Sequence, residues 1–550
     1  MITPDKYLGP LSQSGRPTTE DISNEIRRLE DELVPIDIAG YHYKHRQSIL
    51  PNYPPRIRVA LMREYLHVAG PERSWPDGDG AGKHCSWAKA NGRLWRRDVQ
   101  LSKAKIQIAF SEHEIRLKAR QCASTCSHLT MCCRTLPEAY AECRQYTTDQ
   151  GVAAPVPKDV SISYASALSR LLCEFWWRRQ LRKTFAQLAE AGLRELGFVS
   201  RHSGIYASDE TVNRRIEQKK RQRKMLEGLI AINDLGESFS LAEIADGSNS
   251  NPRIRRCEMM ARLAGIEQYA RANGWSADLY TLTTPSRFHA FLNSGKPNPN
   301  FRENSPRESQ KWLTKIWARI RSKLARDKIE TFGIRIAEPH HDGTTHWHLL
   351  VFSKPSDRSK FERIVRRYML QDSPDEPGAQ EHRVGVTPID YRRGSATAYV
   401  AKYVSKNIDG NGVGRDLEDD SSVSCSDNSI RVEAWSSTWA IRQFQFFGTP
   451  PIGPWRELRR IREALKSKLE RFRRAADQGK WSDYIGEMGG ACRRLIDYPV
   501  KLWRRLRDHP GYYGDPPRHE TIGVCFEEIE LRTRDRTWTI VVAAPFEFCQ

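Results

Sequence analysis

"EPHHDGTTHWHLLVF", residues 338–352, places four histidines and two acids in its first eleven positions and then turns apolar. The chain holds only 15 histidines in 550 residues, so the cluster needs an account. Period-two alternation supplies one. In "HWHLLVF", His346, His348, Leu350 and Phe352 share one face of a strand; Trp347, Leu349 and Val351 share the other. In "TFGIRIAE", Phe332, Ile334, Ile336 and Glu338 share a face. If the turn "PHHDGTT" pairs these strands, Glu338 comes beside the two histidines. Two imidazoles and a carboxylate with open positions suit a divalent cation that polarises a phosphate oxygen. His340 and His341 fall in the turn, as loop residues or substitute ligands. An H-x-H also arises from chance alternation, so the pair needs support elsewhere in the chain.

That support comes about fifty residues on, in "GSATAYVAKYVSKNIDG" (394–410). Ser395 can cap a helix there and Gly410 can end it. Ala396, Val400, Val404 and Ile408 form a buried stripe. Ser395, Tyr399, Tyr403 and Asn407 form the next, and Lys402 and Lys406 the one beyond. Two phenols thus sit one turn apart with two ammonium groups beside them. Paired aromatics usually pack against a core. The competing reading is chemical: a tyrosine nucleophile needs its phenol deprotonated and its phosphate target neutralised. A metal together with Lys402 and Lys406 supplies both.

Strand patterns ("DLYTLTTPSRF", "FGIRIAE", "HWHLLVF") alternate with helical ones ("SQKWLTKIWARIRSKLARDKI", "SDRSKFERIVRRYML") over 252–410. This predicts an α+β or α/β layer domain. Four regions follow: an irregular Pro/Gly/Trp-rich segment, 1–100; a mostly helical region, 101–250, open to DNA binding; a catalytic domain, 251–450; and a basic helical extension with a small terminal cap, 451–550. Residues 410–432 read as an acidic, mobile loop. "RRIEQKKRQRKMLEGLIAI" carries a basic block, Lys219 to Lys224, that serves either as a solvated face or as a phosphate-tracking one.

The net charge is +20, from 88 Lys and Arg against 68 Asp and Glu. Such an excess favours a polyanionic partner, most often nucleic acid. There is no apolar run of membrane-spanning length, and the N-terminus lacks an apolar signal core. A protein that stays in the cytoplasm, touches no membrane and keeps its 12 cysteines reduced is expected. "GDGAGKH" fails as a phosphate loop, with Asp77 and His84 at its ends. Cys122, Cys126, Cys132, Cys133 and Cys143 lie near His128 in a spacing that fits no standard zinc pattern. Buried helix faces account for them better than zinc does. Trp439, Arg442, Gln443 and Phe444 mix rings and cations as single-stranded DNA requires, or form an aromatic core strand. Arg456 follows Trp455 in a basic helix suited to a phosphate backbone.

H-U-H, with Trp347 as the hydrophobic U, followed by Y-x-x-x-Y resembles the HUH endonucleases. These nick single-stranded DNA and stay attached through a 5′-phosphotyrosine. The blocks "TLTTPSRFH", "EPHHDGTTHWHLLVF", "AYVAKYVSKNIDG", "IRQFQFFG" and "WRELRR", and "EGLIAINDLGESFSLAEIADGSNSNPRIRRCEMMARLAGIE" before them, resemble one branch, the phage replication gene A proteins. The resemblance covers roughly 110–465 and is carried by several blocks in order. It implies a central antiparallel sheet with helices on one face. It implies Tyr399 and Tyr403 as nucleophiles used in alternation, and His346 and His348 as ligands of Mg²⁺ or Mn²⁺. Glu338 would be the third ligand and Arg287 a DNA contact. It further implies rolling-circle initiation on single-stranded or supercoiled origin DNA in a bacterial host, with the host helicase and polymerase as partners. A plasmid relaxase or HUH transposase shares the chemistry, and a non-catalytic basic DNA-binding regulator shares the charge.

Overall fold

The computed structural model describes residues 24–29, 41–53, 55–69, 81–102, 111–157, 162–410 and 425–543. It divides into two compact units: 1–203 with 291–297 and 508–517, and 204–290 with 298–507 and 518–550.

The first unit is helical where described. Tyr41–Ile49, Pro55–Ala69 and Ala81–Ser102 are helices, so the irregular reading of 1–100 is corrected for these described residues. Ile57, Leu61, Tyr65 and Leu94 are buried in one cluster at helical spacing, a pattern masked in the sequence by the surrounding Pro and Gly. Glu112–Met131, Leu136–Asp149, Tyr164–Leu171 and Glu174–Glu195 form a second bundle around Cys122, Cys126, Cys143, Trp176 and Trp177.

The second unit is a mixed helix-and-sheet unit of the α+β kind, with antiparallel strand pairing throughout the described residues. In chain order its strands are β1 (Leu229–Asn233), β2 (Ser238–Ser240), β3 (Ser276–Leu282), β4 (Thr331–Pro339), β5 (Thr345–Ser353), β6 (Val384–Pro388), β7 (Phe444–Phe447), β8 (Val500–Leu506), β9 (His519–Phe526), β10 (Ile529–Arg532) and β11 (Trp538–Val542). The central sheet has the order β6-β3-β5-β4-β7. On one face, Phe332, Ile334, Ile336, Leu350 and Phe352 pack with Leu263 and Ile266 of the helix Pro252–Ala272 and with Val400, Val404 and Ile408 of the helix Ala396–Ile408. The opposite face is covered too. Trp347 Nε1 donates to Gln310 at 2.8 Å on the helix Pro306–Arg326, and Tyr280 meets Phe361 of Arg358–Met369 edge-on at 5.1 Å. Helices on one face only, as the resemblance implied, is therefore corrected. Trp347, Leu349 and Val351 are all apolar and buried, and a second apolar face needs a second cover.

Three further expectations change. The sequence after residue 450 makes no single long basic helix. Two short helices, Ile452–Leu458 and Glu470–Asp477, fold back so that Trp455 and Phe472 share a core with Trp481 and Tyr484. The terminal strand is no separate cap, since β11 pairs with β1 from Leu229↔Val542 to Asn233↔Trp538. The acidic loop lies at 411–424 outside the described residues, but its predicted end is helical, within Cys425–Trp439. No helix among the described residues is long and apolar enough to cross a membrane.

Candidate active site

The hairpin forms in the register that alternation requires. Glu338 stands opposite His346 and Ile336 opposite His348; on the other side Thr281 stands opposite His348. The turn is tight: Gly343 N donates to the His340 carbonyl at 2.8 Å and His340 N to that of Thr344 at 2.7 Å. Gly343 takes φ 79°, a value that glycine adopts without the Cβ penalty. The Asp342 carboxylate accepts from Thr344 N in the turn at 3.0 Å and from Ala290 N, far off in sequence, at 2.7 Å. It therefore does not face the histidine pair as a ligand.

Glu338, His346 and His348 each offer one ligand atom, all within 4.8 Å of one another, the single such group among the described residues. Nε2 of His346 and Nε2 of His348 are 2.9 Å apart. Glu338 Oε2 is 4.0 Å from the first and 3.5 Å from the second. Nδ1 of His348 lies 3.2 Å from Thr281 Oγ1, a contact that orients the ring and leaves Nε2 for the centre. Burial drives the His346 imidazole well below its ordinary pKa, helped by His340, His348 and Lys406. It is held neutral, the form that ligates metals. Burial pushes the Glu338 carboxyl up, but the Lys406 charge, His348 and an Asn407 hydrogen bond outweigh it, and its pKa ends below the ordinary value. One carboxylate and two imidazoles, converging in a largely buried setting, fit a divalent cation. His340 and His341 stay in the turn; the His340 ring packs on His346 at 4.1 Å between centroids.

The tyrosine helix is held at both ends. Ser395 Oγ accepts from Ala398 N at 3.0 Å, and the Glu267 carboxylate accepts from Ala396 N and Thr397 N at 2.9 and 2.8 Å. At the other end Gly410 N donates to the Ser405 carbonyl at 2.8 Å with φ 69°. The predicted apolar stripe lies in the core, which turns the tyrosine stripe toward the hairpin. The Tyr403 ring stacks on His348, centroids 4.0 Å apart at 21°, and Asn407 Nδ2 donates to Glu338 Oε1. Tyr399, one turn earlier, is half-buried. The Lys402 ammonium is 4.8 Å from the Tyr403 ring centroid. Lys406 is 4.9 Å from that of Tyr206, a buried residue at φ 71°, a backbone conformation rare outside functional or tightly held sites.

The residues read as DNA contacts fare differently. Trp439 is 3 % exposed, so its ring is not presented for stacking on bases. Arg287 is committed to Asp372 at 2.7 and 2.6 Å, and Arg456 to Glu258 at 2.6 Å. Arg442 stays exposed, its Nε on the Phe444 carbonyl at 3.2 Å. Gln443 points inward, donating through Nε2 to Asn407 Oδ1 at 2.9 Å. Sequence reasoning missed the roles of Asn407, Thr281, Glu267 and Tyr206. Asn407 had a signal, since it lies on the tyrosine stripe. Tyr206 had none, because only the fold brings it there.

Residues 103–411 match the family described as bacteriophage replication gene A protein (GPA). The chain belongs to that family. It is 41 % identical over 359 residues to the replication gene A protein of Escherichia phage 186, covering 64 % of this chain and 52 % of that one. To the replication protein of Haemophilus phage HP1 it is 36 % identical over 393 residues, 70 % and 50 % of the two chains. To the probable replication endonuclease from a prophage-like region of Salmonella paratyphi A it is 35 % identical over 377 residues, 66 % and 47 %. The chain thus spans about half the length of these relatives. No solved structure matches it. The family match includes the hairpin and the tyrosine helix up to Gly410, and stops short of β7 and Gln443.

Proposed function

We propose that this chain is a metal-dependent, HUH-type DNA endonuclease and strand transferase that nicks a replication origin and starts rolling-circle synthesis. The observation that carries the reading is the stacking of Tyr403 on His348, which sets a phenol against a converging Glu–His–His group. Membership of the gene A family and a relative named as a probable replication endonuclease support it.

Glu338, His346 and His348 would hold one Mg²⁺ or Mn²⁺, which supplies charge neutralisation at a non-bridging oxygen of the scissile phosphate. Lys402, beside the Tyr403 ring, would offset the negative charge that gathers around the reacting phosphate. The phenolate oxygen of Tyr399 or Tyr403 attacks phosphorus. The bond from phosphorus to the 3′-oxygen breaks, and that oxygen leaves as a 3′-OH, the phenol's proton being the one it gains in the net exchange; the 3′-OH primes synthesis by host polymerase, with host helicase opening the duplex. The 5′ side stays as phosphotyrosine. The other tyrosine then attacks the regenerated junction and frees the 3′-OH of the displaced strand; that 3′-OH attacks the first phosphotyrosine, whose phosphorus–phenol bond breaks, so the strand is closed and the first tyrosine leaves as a phenol.

The test is covalent capture of single-stranded DNA from the chain's own origin, with Mn²⁺. Wild type is expected to yield a protein–DNA adduct stable in denaturant. Tyr399→Phe with Tyr403→Phe should yield none, and an adduct formed by that double variant at the wild-type rate overturns the assignment.

A further inference from the structure

Glu338 uses its two oxygens differently. Oε2 faces the histidines at 3.5 and 4.0 Å. Oε1 accepts from Asn407 Nδ2. Asn407 is 2 % exposed, so water does not readily replace it. Its amide nitrogen also donates to the Tyr403 carbonyl at 2.6 Å. Both N–H groups are thus spent, one on the carboxylate and one on the tyrosine helix. Asn407 Oδ1 in turn accepts from Gln443 Nε2 at 2.9 Å, and the Gln443 carbonyl accepts from Ala337 N at 2.7 Å. Ala337 is the neighbour of Glu338, so the chain of bonds closes on the strand where it began.

The direction of this chain is dictated by chemistry. An ionised carboxylate only accepts, so Asn407 must present its nitrogen to Glu338. The Asn407 oxygen is then left facing away and needs a donor in a buried setting. Gln443 can meet it with nitrogen, whereas a glutamate there could not. We propose that Asn407 and Gln443 are positioning residues that lock Glu338 with one oxygen anchored and the other turned to the metal, and that tie this orientation to the Tyr403 turn of the helix. Groups of this kind fix the direction of a ligand's lone pair, and their loss typically costs ten- to a hundredfold in metal affinity. The inference rests on the reading of Glu338, His346 and His348 as metal ligands.

Mn²⁺ binding to the full chain, read by electron paramagnetic resonance without DNA, tests it. Asn407→Ala should weaken Mn²⁺ by about ten- to a hundredfold. Gln443→Glu should weaken it more than Gln443→Ala, because an acceptor facing Asn407 Oδ1 forces that amide to rotate and turn its oxygen onto Glu338. Gln443 is only half-buried, so its two variants decide the question if Asn407→Ala fails to fold, with melting temperature as the check. Wild-type affinity in Gln443→Glu and Asn407→Ala, alongside loss of binding in His348→Ala, would overturn the relay and leave the metal site standing. Mn²⁺ binding that His348→Ala does not alter would overturn the site itself and this inference with it.

Discussion

Two parts of this molecule gather residues that bind metals, and they use them in opposite ways. Around β4 and β5, one carboxylate and two imidazoles point their lone pairs at a common centre. In the helices Glu112–Met131 and Leu136–Asp149, Cys122, Cys126 and Cys143 are more deeply buried, yet their sulfurs serve local bonds. Cys143 Sγ donates to the Cys126 carbonyl at 3.4 Å, and Tyr146 donates to Cys122 Sγ at 3.6 Å. Burial pushes the Cys122 thiol up, so it stays protonated among Trp176 and Trp177. Both groups could ligate a metal by residue type; what differs is whether the fold gathers the donor atoms about a common centre. The structure thus gives zinc at the cysteine cluster no support.

The contrast is sharpest when one member of each group is removed. Glu338→Ala should abolish Mn²⁺ binding in isothermal titration and stop nicking. Cys143→Ala should leave both unchanged and cost only about 1 kcal/mol of stability in urea unfolding. Equal effects on Mn²⁺ would collapse the distinction.

A smaller effect separates the two regions by pH. Burial holds His340 and His346 well below the ordinary imidazole value of 6.5. The unfolded chain takes up protons near 6.5 and the folded chain resists, so this stability is present above that pH and lost as pH falls below it. The slope approaches about 1.4 kcal/mol per pH unit for each group. Melting temperature should therefore fall between pH 7.5 and 5.5, and His340→Phe should flatten part of that fall; an unchanged slope would argue against a neutral buried His340. Saturating Mn²⁺ should raise the melting temperature at pH 7.5 and do so less at 5.5, since metal and proton compete for His346.

Glu267→Gln removes the carboxylate at the start of the tyrosine helix, where it accepts two backbone N–H groups. A cost of about 1–2 kcal/mol is expected, with nicking reduced and Mn²⁺ affinity retained, because the hairpin stands apart from that cap. The smallest effect falls on Arg442, an exposed member of the proposed DNA contacts whose hydrogen bond goes to a backbone carbonyl and not to a carboxylate. Arg442→Ala should lower the slope of log affinity against log salt by about one, uniformly across DNA sequences.

Much of the hairpin was legible because strand alternation is a strict rule. His346, His348 and Glu338 could be assigned to one face from spacing alone, and the Ser395 cap and Gly410 stop framed the tyrosine helix in the same way. What escaped detection depended on tertiary contact. Trp439 and Gln443 read equally as DNA contacts or as part of an aromatic core strand, and only the assembled fold buries Trp439 and turns Gln443 onto Asn407. The basic run after Leu458 looked like one helix because its charges hid the need for Leu458, Leu469 and Phe472 to share a core. Tyr206 reaches Lys406 only through the fold, so no local pattern marks it.

The central claim is that the tyrosine helix supplies the nucleophile for the metal-binding hairpin. It is tested most directly by mass spectrometry of the peptide left on origin DNA after reaction with Mn²⁺ and proteolysis. The account predicts a 5′-phosphate ester on Tyr399 or Tyr403. A nick ending in a free 5′-phosphate, or an adduct on any other residue, would contradict it.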